Sequence, residues 1–175
     1  IKFPARPHAT PISQNWTGDK IQSESSLLVI SEQGLGDTIQ FMRYISYLRE
    51  IGIKVSFCAQ EKLHSLIKSS NIDINPLTPK ETNSISTPKW ISLLSIPKYL
   101  EIRPNNPIIS KPYISSSKKL IEKWRQILSK EKRFIIGINW QGNQEIEKNN
   151  LKGRSLPLEY FSKLANNEKF KFLSL

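Results

Sequence analysis

The residues best equipped for chemistry fall in one short segment, Ser31-Glu32-Gln33-Gly34-Leu35-Gly36-Asp37-Thr38-Ile39-Gln40. It places a carboxylate, Asp37, behind two glycines and joins an apolar run to a stretch of helical period. Gly34 and Gly36 lack a Cβ, so the backbone there is free to approach a ligand or take positive φ. Asp37 has two readings. With Gln40 three residues on, it makes a capping-box pattern that would start a helix. A carboxylate beside a helix N-terminus is also favoured as the anion, which suits accepting a proton or orienting a hydroxyl and suits an acid role poorly. The two readings are compatible, because a cap at the carboxyl end of a strand also faces the ligand-binding edge of an open α/β sheet. Competing motifs are incomplete. A dinucleotide fingerprint needs a third glycine or alanine where Ile39 stands, and a P-loop needs a Lys-Ser/Thr pair that is missing.

The elements that must hold this segment follow from periodicity. Residues 1–26, with Pro4, Pro7, Pro11 and Gly18, read as an extended arm. Leu27-Leu28-Val29-Ile30 is short and wholly apolar, the pattern of a buried parallel strand. From Thr38 to Glu50, Ile39, Met42, Ile45, Leu48 and Ile51 recur at helical spacing, and Gly52 supplies the stop. A second strand is expected at Ile53–Cys58, a helix at Lys62–Ser69, a brief strand at Ile72–Ile74, and another strand in Trp90–Leu94 with a helical turn at Pro97–Leu100. Ser115–Ser129 reads as an amphipathic helix with Leu120, Ile121, Trp124, Ile127 and Leu128 on one face. The rhythm then restarts with a strand at Phe134–Trp140, a helix at Leu156–Asn166 with Leu158, Phe161, Leu164 and Ala165 inward, and a strand at Phe170–Leu175. Strands alternating with helices predict an α/β fold with a parallel, Rossmann-like sheet and the start of a second such unit. The expected organisation is an arm (1–26), a first Rossmann-like domain (27–114), a connecting helix (115–132) and an incomplete second domain (133–175).

Composition narrows the function classes. The formal charge of +11 invites a nucleic-acid reading. The lysines are scattered, however, and Lys130-Glu131-Lys132-Arg133 is broken by an acid, so a solvated basic surface with no nucleic-acid partner is preferred. Cys58 is the single cysteine, which excludes an internal disulfide framework and points to a reducing, cytoplasmic compartment. No run reaches the roughly 18–20 apolar residues of a membrane span. No Asp-x-Asp or His/Cys cluster suggests a metal, and His8 and His64 are isolated. A chain that starts at Ile1 and stops on an apolar run reads as cut from something longer.

One resemblance is specific. Glu32-Gln33-Gly34-Leu35-Gly36-Asp37-Thr38-Ile39-Gln40-Phe41, with Arg43-Tyr44, resembles the domain that follows tetratricopeptide repeats in a bacterial protein family, itself similar to heptosyltransferase-type glycosyltransferases of the GT-B fold. Supporting landmarks occur in order: Trp16-Thr17-Gly18, Leu93-Leu94-Ser95-Ile96-Pro97, Pro112-Tyr113-Ile114, Gly137-Ile138-Asn139-Trp140-Gln141-Gly142-Asn143 and Arg154-Ser155-Leu156-Pro157. The resemblance implies two facing Rossmann-like domains, an acceptor-side one and a donor-side one. It implies a nucleotide-sugar donor, an unidentified acceptor hydroxyl, upstream repeats, and neither metal nor cofactor. Carried over by position, Asp37 would be the catalytic base, and Gln33, Gly34, Gly36 and Gln40 would shape the acceptor side. Trp140, Gly142, Asn143, Arg154 and Ser155 would lie on the donor side, where an Arg fork suits a diphosphate. Each has a plainer reading: Arg43 as a surface or salt-bridge arginine, Trp140 as packing, Gly142-Asn143 as a turn. Between Asn143 and Arg154 the family tends to carry a His and an Asp, whereas this chain has Gln144 to Asn150 with two acids, Glu145 and Glu147. Incomplete donor elements predict weak or absent donor binding and little catalysis by the chain alone. The alternative is a non-catalytic, repeat-associated binding module that keeps the fold.

Overall fold

The computed structural model describes residues 6–19, 25–87, 89–107, 111–142, 147 and 155–175. The chain divides into two compact units, residues 1–118 and 119–175.

The first unit is mixed α/β around a four-stranded parallel sheet, an arrangement compatible with a Rossmann-like fold. Its strands are β1 (Gln14–Asn15), β2 (Ser26–Ile30), β3 (Lys54–Cys58) and β4 (Lys89–Ser92), in the order β1-β4-β2-β3. β2 lies between β4 and β3, with Leu28 beside Trp90 on one side and Ser56 on the other. Its apolar run is explained by cover on both faces. Leu27 and Val29 join the larger core with Met42, Ile45, Leu48, Phe57, Ile67, Ile91, Leu93 and Ile96, while Leu28 and Ile30 pack with Ala9, Cys58, Leu77 and Trp90.

Helices α1 (Leu35–Phe41) and α2 (Arg43–Glu50) follow β2. The single helix expected from Thr38 is therefore longer at its start and interrupted at Met42, which is fully buried. α2 buries Tyr44, Ile45 and Leu48, and Gly52 ends it at φ +88, a conformation that costs glycine little. After β3 come a short 3₁₀ turn (Glu61–Leu63), α3 (His64–Ser69) and α4 (Pro79–Thr82), the last capped reciprocally by Thr78 and Glu81. After β4, a 3₁₀ turn at Leu93–Ser95 runs into α5 (Ile96–Tyr99).

One expectation changes here. Ile72–Ile74 is not a strand. Asp73 instead accepts a hydrogen bond from the Asn75 N–H (2.9 Å) and pairs with Arg49 Nη2 (2.6 Å), and Arg49 also donates to the Ile72 and Val55 carbonyls. Side-chain bonding of this kind bends the backbone into a turn. The N-terminal arm touches the rest of the first unit at several of its described residues. β1 pairs in parallel with β4, His8 N–H donates to the Ser31 carbonyl (3.0 Å), and Ala9 and Trp16 are buried.

The second unit holds α6 (Lys118–Leu128, which starts at the last residue of the first unit), parallel strands β5 (Phe134–Ile138) and β6 (Phe170–Ser174), a 3₁₀ turn (Leu158–Phe161) and α7 (Ser162–Ala165). The helix expected over 156–166 is thus shorter and partly 3₁₀. No described residue of 119–175 is buried. Leu120, Ile121, Trp124 and Ile127 on α6 are exposed, and so are Leu158 and Leu164, which were expected inward. Among the described residues no helix is long and apolar enough to cross a membrane.

Candidate functional site

Parallel strands bring their carboxyl ends to one edge, and four segments meet there. Ser31 N–H donates to the Cys58 carbonyl (2.9 Å), tying the end of β2 to the end of β3. Gln60, two residues past β3, accepts from Thr38 Oγ1 (2.9 Å) and donates from Nε2 to the Gln33 carbonyl (3.4 Å). Glu32 reaches the end of β4, where its Oε1 accepts from the Leu94 N–H (3.3 Å). From the arm, His8 Nδ1 lies 2.9 Å from Ser31 Oγ.

Asp37 stands on this edge, half-buried, but not as the N-cap. Gly34 holds the cap position, so α1 starts one turn earlier than the Asp37–Gln40 pattern implies. Asp37 lies three residues inside the helix, and its Oδ2 accepts the Gly34 N–H at 3.0 Å. Oδ1 has no partner among the described residues. One oxygen is therefore anchored at a helix N-terminus, where negative charge is favoured, and the other makes no bond to any described residue. Neither Gly34 nor Gly36 takes positive φ. That conformation falls on Gln33 (φ 63), an uncommon one for a residue with a side chain. A Cβ on Gly36 would meet nothing within 4 Å, so its glycine leaves the backbone bare toward open space. Gln33, Gly34, Gly36 and Gln40 are all exposed.

Sequence reasoning missed Glu32 and Gln60. Glu32 is 1% exposed, and its Oε2 has no hydrogen-bond partner among the described residues. Taking a carboxylate out of water with only one bond made is costly, so this group stands out on the edge. The only available signal was position: both residues fall just beyond apolar strand runs, where ligand-contacting residues gather in open α/β sheets.

In the second unit the structure brings together three of the five residues expected on the donor side. Trp140 is half-buried at the end of β5, and its carbonyl accepts from the Leu156 N–H (2.8 Å). Gly142 N–H donates to Ser155 Oγ (2.8 Å). Asn143 and Arg154 lie outside the described residues. The basic group before β5 is partly neutralised, since Arg133 Nε and Nη2 donate to Glu131 (2.8 and 2.7 Å). These bonds hold the Glu131 carboxyl down at about 2.

A separate cleft of about 500 Å³ opens in the first unit, lined by Arg43, Ser46, Tyr47 and Glu50 of α2, the turn Ser70–Ile72, and Lys111, Pro112 and Tyr113. It does not include Asp37. Among the described residues no group of His, Cys, Asp or Glu is arranged to hold a metal ion. Compared with known proteins, the chain matches no family model, no curated protein and no solved structure.

Proposed function

We propose that the chain belongs to a metal-independent glycosyltransferase of the GT-B type, supplying the acceptor side and the start of the donor side. The observation that carries this reading is Asp37: a carboxylate at the carboxyl-end edge of a parallel sheet, with Oδ2 fixed by the Gly34 N–H and Oδ1 without a partner among the described residues. In the proposed reaction the acceptor hydroxyl gives its proton to Asp37 as its oxygen attacks the anomeric carbon. The bond from that carbon to the nucleoside diphosphate breaks, and its electron pair leaves with the diphosphate. Gln33, Gly34, Gly36 and Gln40 border the acceptor. Trp140, Gly142, Asn143, Arg154 and Ser155 serve the donor, with Arg154 offering its fork to the diphosphate. No resident cofactor is invoked, the nucleotide-sugar being substrate, and the reaction belongs in the cytoplasm.

The test is a panel of nucleotide-sugars offered to the protein, followed by release of nucleoside diphosphate. Asp37→Asn keeps an oxygen to accept the Gly34 N–H and removes the base, so turnover should fall by roughly 10²–10⁴ while the fold persists. Unchanged turnover in the Asn variant would end the assignment. A second reading, a repeat-associated binding module without chemistry, draws support from the acids Glu145 and Glu147 in the sequence between Asn143 and Arg154, which a diphosphate site would disfavour. It predicts no release of product from any donor, and saturable nucleoside diphosphate shifts near Trp140 and Ser155 would count against it.

A further inference from the structure

Arg43 and Tyr113 are 70 residues apart and meet at the cleft beside α2. The guanidinium is fixed by neutral groups. Nε donates to the Gln40 carbonyl (2.7 Å), Nη2 donates to the Tyr113 hydroxyl (3.1 Å), and Cζ lies 4.7 Å from the Tyr113 ring centroid. Tyr113 in turn donates to the Ile39 carbonyl (2.9 Å), which locks the ring. Three other arginines are neutralised: Arg49 by Asp73, Arg125 by Glu122, Arg133 by Glu131. Arg43 faces no carboxylate, and its Nη1 has no partner among the described residues. Tethering the 111–115 segment needs only Nη2 and the ring, so the charge and the Nη1 donors remain unused.

The rest of the lining fits an oxyanion with a polar body. Lys111 brings a second cation, with no ion pair among the described residues, and Ser46 and Asn71 offer neutral hydrogen-bonding groups. The single acid of the lining, Glu50, is seven residues from Arg43 along α2, about 10 Å at helical rise. Repulsion of an anion held at Arg43 is therefore weak, and Glu50 is free to accept from a hydroxyl. A volume near 500 Å³ lies within the range of small-molecule sites. A guanidinium already oriented by packing loses little freedom on binding, which favours affinity.

We propose that this cleft binds a small phosphate-bearing molecule, its phosphate held by Arg43 Nη1 and Lys111 and its body by Ser46, Asn71 and Glu50. The proposal is independent of glycosyl transfer and of Asp37. It is tested by titrating the isotopically labelled 175-residue chain at low ionic strength with glucose 6-phosphate, inorganic phosphate and glucose, reading amide shifts. Saturable shifts at Ser46, Tyr47, Asn71 and Tyr113 are expected with the phosphate compounds and not with glucose. Tighter binding of glucose 6-phosphate than of inorganic phosphate supports the proposal, and equal affinity for the two would overturn the role given to Ser46, Asn71 and Glu50. Lys111→Gln leaves the Arg43–Tyr113 tether intact and should weaken binding about threefold or more. Arg43→Gln should weaken it about tenfold or more, as expected for a charge-assisted bond. Absence of saturable shifts at these amides in the unsubstituted chain would overturn the proposal, as would equal affinity in both variants.

Discussion

Replacing Glu32 with methionine should make the protein more stable. The side chain is 1% exposed, Oε1 takes one bond of 3.3 Å from the Leu94 N–H, and Oε2 takes none from the described residues. Methionine is close in length, unbranched, and adaptable in a core. The substitution forfeits one hydrogen bond, about 1 kcal/mol net. It also removes a buried carboxylate with one oxygen unpaired, a group whose desolvation costs several kcal/mol before compensation. The balance favours the variant by about 1–3 kcal/mol, with the Leu94 N–H left unpaired as the main offset. At this chain length that corresponds to a rise of about 2–4 °C in Tm per kcal/mol. Urea unfolding followed by circular dichroism reads the midpoint, and an unchanged slope shows that the same surface unfolds. Loss of more than about 1 kcal/mol would refute the reasoning, because Glu32 would then be stabilising the fold on its own account. A gain would mean that the edge beside Asp37 retains a group the fold does not need, as binding sites commonly do.

Other consequences are narrower. Gly18 has φ +102, and a Cβ there would fall 2.6 Å from a ring carbon of Tyr99, which packs on Trp16 with centroids 5.1 Å apart. Gly18→Ala should therefore cost about 2–4 kcal/mol from backbone strain and overpacking together, measured by urea midpoint; a cost below 1 would show that the arm yields. Burial raises the Cys58 thiol above its usual value of 9.0, so reaction with a thiol reagent should track unfolding and not pH alone. Because the folded value is the higher one, that contribution to stability is complete below 9.0 and is lost as pH rises toward the folded value. Unfolding midpoints that do not fall above pH 9, after allowance for other groups, would contradict it.

Much of the first unit was legible because its signals are local. The apolar run Leu27–Ile30 announces a strand covered on both faces, and Gly52 announces a helix stop that the structure places at positive φ. The start of α1 was misread because Asp37 and Gln40 make a good capping pattern, while the true cap, Gly34, offers no side chain. Ile72–Ile74 looked like a strand because its turn depends on Arg49, 24 residues away from Asp73. Glu32, Gln60 and the Arg43–Tyr113 pair depend on which strands end together and which segments return to α2. No window of sequence contains that information.

The two units should also differ in how firmly they hold their amides. In the first, β2 sits between β4 and β3 with Leu27, Leu28, Val29 and Ile30 all 0% exposed. Opening β2 means losing both cores at once, so its amides should exchange only through unfolding of the unit. In the second, β5 and β6 form a two-stranded ladder with Phe134 74% exposed, and none of the unit's described residues is buried. A two-stranded sheet without a covered face is marginal. Hydrogen exchange on the 175-residue chain should therefore show protection at Leu28–Ile30 exceeding that at Ile135–Ile138 by about 10³ or more, which corresponds to roughly 4 kcal/mol of difference in opening free energy. If binding a nucleoside diphosphate near Trp140 and Ser155 raises protection in β5 and leaves β2 unchanged, ligand is completing what that unit's own residues leave open. Equal protection of the two sheets in the free chain would contradict the contrast in burial on which this expectation rests.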